Sequence, residues 1–326
     1  MSTKFRTLNA QASAIEGVLE AHKVAAKVWG GNAGTALIKF HLVVAPETKL
    51  SRVMGLQEEL ALSLGVPVVT VRRQNDVVVL EVPTGRTLEE ISAEDMAAIL
   101  PEVPPMTALL GRTAEGKTLL LDLSSPNVVH VLVVGRTGSG KTVLLNTLAG
   151  SLTDHNDSAN MKLLLLDTKG GHNLSGLAKQ SHTLGQQVFT TPAECEQQLA
   201  SAVTTMIERD KAQRNSPKII IVIDELADLI MQTPQVSELL VRIAQRGREA
   251  GIHLVVGTQL PTAAVTTTIL RANLPTRLVG SVGTAEESKI ATGRAGLNAH
   301  HLQGRGDFII VGPTAPTRFQ VAPRKG

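Results

Sequence analysis

The chain has 326 residues, 43% of them hydrophobic, and a formal net charge of +3 from 32 Lys plus Arg against 29 Asp plus Glu. At about 150 residues per domain there is room for two domains with sizeable cores, which excludes wholesale disorder. No apolar run approaches the ~18 residues of a membrane span, no apolar stretch follows the N-terminal Met-Ser-Thr-Lys-Phe-Arg, and the lone Cys195 excludes an internal disulfide or a cysteine-cluster metal site, so the expectation is a cytoplasmic protein without membrane insertion.

Ala12 to His22 has helical spacing, with Ile15, Val18 and Leu19 on one face. Strand-like runs follow at Val24 to Trp29 and Ala36 to Val44, with a turn expected at Gly30-Gly31-Asn32. Val53, Leu56, Leu60 and Leu64 line up on a helix over Leu50 to Leu64. Strands return at Val68 to Val71 and Val77 to Val82 around the turn Gln74-Asn75-Asp76, and a helix is predicted over Leu88 to Leu100. Pro101, Pro104 and Pro105 then break the pattern, so residues 1–105 are expected to form a small α+β domain.

From Met106 onward short apolar strands alternate with longer helical segments. Strands are predicted at Val129 to Val134, Met161 to Leu166, Lys218 to Ile223, Ile252 to Val256, Arg277 to Val282 and Asp307 to Val311. Continuous apolar strands alternating with helices predict a mainly parallel sheet covered on both faces, hence an α/β domain over residues 106–326.

The phosphate-loop pattern occurs twice. It needs a strand before it and a helix after it, because helix N-terminal N–H groups wrap the phosphates. The copy from Gly111 to Thr118 leads into another strand-like run and reads as a hairpin tip. The copy Gly135-Arg136-Thr137-Gly138-Ser139-Gly140-Lys141-Thr142 follows a buried strand and opens an apolar helical run. There Lys141 is expected to reach the β and γ phosphates of ATP and Thr142 to ligate Mg²⁺.

A nucleotide hydrolase also needs an acid on the metal side and a group that orients water. Asp224 and Glu225 follow the apolar strand Ile219 to Ile223, at the strand end where ligands sit in open α/β sheets. Asp224 fits the Mg²⁺ side and Glu225 the general base. The same two acids also suit a plain helix N-terminus. Gln259, at the end of the next strand, is either a γ-phosphate sensor or part of a strand-end turn before Pro261.

Gly135 to Thr142, Asp224 to Leu229, Arg242 to Gln259 and Arg271 to Arg277 together resemble the FtsK/SpoIIIE double-stranded DNA translocases. Gly304-Arg-Gly-Asp307 is similar to a stretch near the end of that motor, and the first hundred residues to its small α subdomain. The resemblance implies a RecA-like P-loop NTPase motor that forms a hexameric ring around duplex DNA and binds ATP between subunits. It also implies an arginine acting across the interface, for which Arg277 is the first candidate and Arg271, Arg248 and Arg294 are alternatives.

This sequence departs from the family pattern at several places. Asp167-Thr168-Lys169 stands where the family has Asp-Pro-Lys, and the loop Met231 to Gln235 carries no basic residue. Membrane spans and a DNA-reading winged helix, frequent in relatives, are absent here, so a motor lacking its own directionality, with a recruiting or orienting partner, is expected. Five Phe, one Trp and no Tyr leave little for stacking on single-stranded bases, which favours a duplex held by its backbone. DNA contacts are placed on the helix face of Arg242, Arg246 and Glu249, which equally suits a solvated surface, or on the uncharged stretch Thr262 to Thr268 as a pore loop. Other readings are a ring ATPase that pumps protein, a conjugative coupling motor, and a nucleotide-dependent switch.

Overall fold

The computed structural model describes residues 3–33, 37–74, 77–84, 103–259 and 268–324. They are organised by two sheets. The smaller is antiparallel and joins β1 (Ala26–Ala33), β2 (Leu37–Val44), β3 (Thr70–Gln74) and β4 (Val77–Pro83) in the order β1-β2-β4-β3. Its inner face packs on α1 (Thr3–Ala21), α2 (Leu50–Met54) and α3 (Gln57–Leu64), where Ile15, Leu19, Phe40, Val53, Leu60 and Leu80 share one core.

Three local expectations change here. The first helix starts at Thr3 rather than near residue 12. The turn expected at Gly30-Gly31-Asn32 is continuous strand, with a register shift at Val28/Gly30. A Cβ on Gly31 would lie 2.4 Å from the Lys39 carbonyl oxygen, so the glycine there permits a close strand approach rather than a reversal. The helix over 50–64 is broken at Gly55 and Leu56, and the bend leaves both Val53 and Leu60 fully buried. The helix predicted over Leu88 to Leu100 and residues 75–76 of the second turn lie outside the described residues.

The larger sheet has ten strands among the described residues, in the order β6-β5-β14-β13-β12-β7-β11-β10-β8-β9. They are β5 (Thr107–Thr113), β6 (Thr118–Asp122), β7 (Val131–Val134), β8 (Met161–Leu166), β9 (Thr183–Phe189), β10 (Lys218–Ile223), β11 (Ile252–Thr258), β12 (Thr276–Val279), β13 (Asp307–Val311) and β14 (Thr317–Val321). From β12 to β9 every pairing is parallel; from β12 to β6 every pairing is antiparallel. The Gly111 to Thr118 copy of the phosphate-loop pattern is the β5–β6 hairpin and its flanks, as predicted.

Alternate residues of the parallel strands feed separate cores on the two faces. Ile220 and Val222 pack with Leu144, Leu145 and Leu148 of α4 (Lys141–Asp154) and with Leu177 of α5 (Ser175–Ala178). Ile221 and Ile223 pack with Leu199 of α6 (Pro192–Lys211), Leu226 of α7 (Leu226–Gln232) and Leu240 of α8 (Val236–Arg246). Leu270 of α9 (Thr268–Ala272) and Ala291 of α10 (Ala285–Thr292) complete that face. Both faces of the parallel strands are thus covered, which is why those strands read as unbroken apolar runs.

His130 and His253 are buried near the N-terminal ends of β7 and β11, their ring centroids 6.3 Å apart. His130 Nδ1 accepts the Leu254 N–H at 2.9 Å, and His253 Nδ1 donates to the Val129 carbonyl at 2.9 Å. Burial, and then the neighbouring His253, push His130 down to about 3; burial likewise lowers His253. A histidine depressed on folding binds its proton more readily when unfolded, so its stabilisation is complete above ~6.5 and is lost as pH falls toward 3. His130 alone accounts for a loss of about 2 kcal/mol between pH 7 and pH 5. Urea unfolding at the two pH values checks this; equal losses in wild type and His130→Gln would show that His130 is not the group responsible.

Candidate nucleotide site

The phosphate loop connects β7 to α4. Gly138 and Gly140 have φ of 82° and 95°, conformations open to glycine at little cost. The base of the loop is pegged by two backbone bonds: Gly135 N–H to the Thr258 carbonyl at 3.2 Å and Arg136 N–H to the Ser281 carbonyl at 2.9 Å. Helix α4 has no side-chain N-cap bond and no acid in its first turn. Its first N–H groups and the positive end of its dipole are left to an anion.

Strand β10 delivers Asp224 and Glu225 to the same end of the sheet. The Lys141 ammonium lies 3.0 Å from Asp224 Oδ1, donates to the Asp224 carbonyl and stands 3.7 Å from Glu225 Oε2. Asp224 Oδ2 accepts the Asn173 amide at 2.9 Å. Glu225 Oε1 accepts the Gln259 N–H at 3.0 Å, and Gln259 Oε1 accepts the Thr137 hydroxyl at 3.2 Å. An open cleft lined by Arg136, Thr137, Lys169, Glu225, Asp228 and Gln259 lies over these groups. The residues expected to bind phosphate, hold metal, activate water and sense the γ-phosphate therefore meet at the C-terminal ends of β7, β10 and β11.

Arg277 is not among them. It lies at the N-terminal end of β12, opposite Leu132, and makes long bonds of 3.4 Å to the Ala291 carbonyl and 3.5 Å to those of Ile290 and Arg271. Burial lowers its pKa. Of the alternatives, Arg294 bonds the Gly312 carbonyl at 3.1 Å and Arg248 is exposed near His253.

Sequence reasoning gave no role to several side chains that the fold brings here. Asp167 follows β8 buried, with Oδ1 accepting the Lys169 N–H at 2.9 Å and Oδ2 without a hydrogen-bond partner among the described residues. Burial raises its carboxyl above the usual range, and the Asp224 carboxylate adds to that. The Lys169 ammonium is 3.5 Å from Glu225 Oε2. An acid closing an apolar strand, the pattern that pointed to Asp224, was also the available signal for Asp167. Gly304 to Gly306 form a second glycine-rich turn against the phosphate loop: Arg305 N–H bonds the Gly138 carbonyl at 2.9 Å and Gly306 N–H the Ser139 carbonyl at 2.8 Å.

These groups fit a Mg²⁺–nucleotide. The loop backbone is open at Gly138, where a Cβ would meet nothing within 4 Å, and the buried Ser139 hydroxyl has no hydrogen-bond partner among the described residues. Asp167 Oδ2 and Glu225 Oε2, buried acceptors without a hydrogen bond among the described residues, suit a cation and its bound water.

A strand–phosphate-loop–helix unit, with two acids closing a strand two places along the sheet, defines the class: this is a P-loop ATPase. The FtsK/SpoIIIE family model matches residues 96–214 and 196–263, and the FtsK alpha domain model matches residues 2–84. The chain belongs to the FtsK/SpoIIIE family.

DNA translocase FtsK of Helicobacter pylori strain J99 is 32% identical over 86% of this chain and 36% of its own length. DNA translocase FtsK of Caldanaerobacter subterraneus subsp. tengcongensis is 32% identical over 98% of this chain and 48% of its own. DNA translocase SftA of Bacillus subtilis is 30% identical over 88% and 33%. The chain thus spans less than half the length of these relatives. Among solved structures, the pCW3 conjugation coupling protein TcpA, a monomer with ATPγS, superposes with a TM-score of 0.66 at 20% identity over 97% of this chain and 96% of its own. The cytoplasmic domain of the Thermomonospora curvata type VII secretion ATPase EccC gives 0.61 at 23% over 73% and 30%. Both share the fold.

Proposed function

We propose that the chain is an ATP-driven translocase of double-stranded DNA, working as a hexameric ring with ATP held between subunits. The observation that carries this reading is the meeting of Gly135 to Thr142 with Asp224 and Glu225 at one sheet end, in a chain of this family. Residues 1–105 form the small domain and residues 106–326 the motor.

Gly135, Arg136, Thr137, Gly138, Ser139 and Gly140 cradle the phosphates, and Lys141 exchanges Asp224 for the β and γ phosphates. Thr142 and Asp224 would hold a Mg²⁺, which when bound would offset phosphate charge. Glu225 takes a proton from the attacking water as the water oxygen bonds to the γ phosphorus and the bond to the ADP oxygen breaks. Gln259 holds Glu225 through its N–H and reaches Thr137 through its side chain, a position suited to registering the γ phosphate. Arg277 is the arginine offered to a neighbouring subunit; its long intrachain bonds are weak enough to be exchanged.

A polyanionic partner is supported by a cleft on the N-terminal side of β10 and β11. Arg209, Arg214, Lys218 and Arg248 line it beside Asp210 and Glu249, and none of the four is ion-paired within 4.0 Å among the described residues. Of the earlier candidates, Arg246 is exposed but paired with Asp210, and Thr262 to Thr267 lie outside the described residues. Among the described residues no helix is long and apolar enough to cross a membrane.

The test is the ATPase rate with no nucleic acid, single-stranded DNA, duplex DNA and RNA at two salt concentrations. The expected result is stimulation by duplex alone that weakens as salt rises. Stimulation by none of them would overturn the DNA reading in favour of protein cargo or a switch.

A further inference from the structure

The small sheet faces the phosphate loop across one small cavity beside Arg318, from which a short series of polar contacts runs to the loop. Arg318 of β14 grips Asp307 of β13 bidentately, Nε to Oδ1 at 2.8 Å and Nη2 to Oδ2 at 2.7 Å. Asp307 is buried, and its Oδ2 also accepts the Gln303 N–H at 2.9 Å. That carboxylate therefore sets the turn from Gln303 to Asp307. Gln320 reinforces the turn by donating to the Arg305 carbonyl at 2.7 Å.

The turn in turn fixes the phosphate loop. The carbonyls of Gly138 and Ser139 are held by the N–H groups of Arg305 and Gly306. In a planar trans peptide, C=O and N–H point opposite ways. Pinning the Ser139 carbonyl on Gly306 thus aims the Gly140 N–H away from the turn. The fit leaves no slack, since a Cβ on Gly140 would lie 2.5 Å from the Gly306 nitrogen.

On its other side Arg318 faces the small sheet across a cavity, with no ion pair to Glu81 within 4.0 Å among the described residues. It lines that cavity together with Arg72 and Glu81. Burial opposes the Arg318 charge, but Asp307 and then Glu81 outweigh it and raise its pKa. Glu81 is paired with Arg72 and lies 3.6 Å from Lys39. Arg72 also donates to the Pro316 carbonyl at 2.8 Å, just before β14. Lys39 is paired with Glu115, at the tip of the hairpin that carries the other phosphate-loop pattern.

We infer that Glu81, Arg318 and Asp307 form a positioning relay by which docking of the small sheet tunes nucleotide affinity at the phosphate loop. This rests on the nucleotide reading of the Gly135 to Thr142 loop. None of the three is a catalytic residue; they act through the backbone of residues 303–306. Contiguity alone does not demonstrate coupling, so the test is a double-mutant cycle on binding.

The Kd of a fluorescent ATP analogue with Mg²⁺ is measured for the full chain, Glu81→Gln, Arg318→Gln and the double variant, alongside melting without nucleotide. Arg318→Gln is expected to weaken binding roughly tenfold and Glu81→Gln roughly threefold, with Glu81→Gln adding nothing further once Arg318 is replaced. Arg318→Lys, which keeps the charge but not the fork, is expected to recover only part of the affinity. Unchanged Kd in Glu81→Gln, or losses that multiply independently, would overturn the relay. Glu81→Gln decides the matter alone should Arg318→Gln fail to fold. A wild-type chain that does not bind the analogue would instead remove the nucleotide reading, and the relay with it.

Discussion

Lys141→Ala binds ATP at least about a hundredfold more weakly than the wild type. Two contributions combine. The first is the loss of charge-assisted bonds to phosphate, about 1.5–3 kcal/mol each. The second is present before any nucleotide binds. Lys141 is 6% exposed, lies 3.0 Å from Asp224 and 3.7 Å from Glu225, and so balances two buried carboxylates. Without it Asp224, Glu225 and the nearby Asp167 face an incoming triphosphate with only the more exposed Lys169 and Arg136 to offset them among the described residues, and negative charge meets negative charge. Removing one partner of a buried pair also costs the fold roughly 3 kcal/mol. Lys141→Met fills the stem volume and separates packing from charge; it too is expected not to bind. Titration with a fluorescent ATP analogue, beside urea unfolding, reads both effects, and undiminished affinity in either variant would rule out Lys141 as the phosphate ligand.

Glu225→Gln is expected to hold ATP and not split it. Gln is nearly isosteric, and its amide oxygen can still accept the Gln259 N–H that Glu225 Oε1 accepts at 3.0 Å. What is lost is the basic oxygen and one negative charge beside the Lys141 and Lys169 ammonium groups. Hydrolysis should fall by about 10²–10⁴, the usual contribution of a general base, while the affinity for ATP stays within a few-fold. A single-turnover experiment separates binding from chemistry; turnover at the wild-type rate would remove Glu225 from the base role.

How much of this could be read from residues alone varies with the kind of signal. β8, β10 and β13 have the predicted bounds because strands buried on both faces leave an apolar run with sharp ends. The choice between the two phosphate-loop patterns was legible because only the second sits between an apolar strand and an apolar helix. β9 and β14 escaped notice for opposite reasons. β9 lies at the sheet edge with its middle exposed, so Gly185, Gln186 and Gln187 read as loop. β14 alternates, and Arg318 sits at a position that reads as solvent-facing until the diagonal pairing with Asp307 is known. The glycine at 31 misled because a turn and a close strand approach ask for the same missing Cβ. Asp224 and Glu225 were found because chemistry requires them. Asp167 and the turn at 304–306 were not, because their place depends on which strands become neighbours.

Strand β14 also bears on how the molecule is made. It pairs with β5, Phe319 standing opposite Thr113, so two segments roughly two hundred residues apart must meet before the antiparallel half of the large sheet closes. During vectorial synthesis the small sheet can zip together soon after its strands leave the ribosome, whereas β5 and β13 wait with open edges until the last strand emerges. That interval exposes template-like backbone to other chains. Nascent-chain chaperoning, more than equilibrium stability, is therefore expected to limit the yield of this chain.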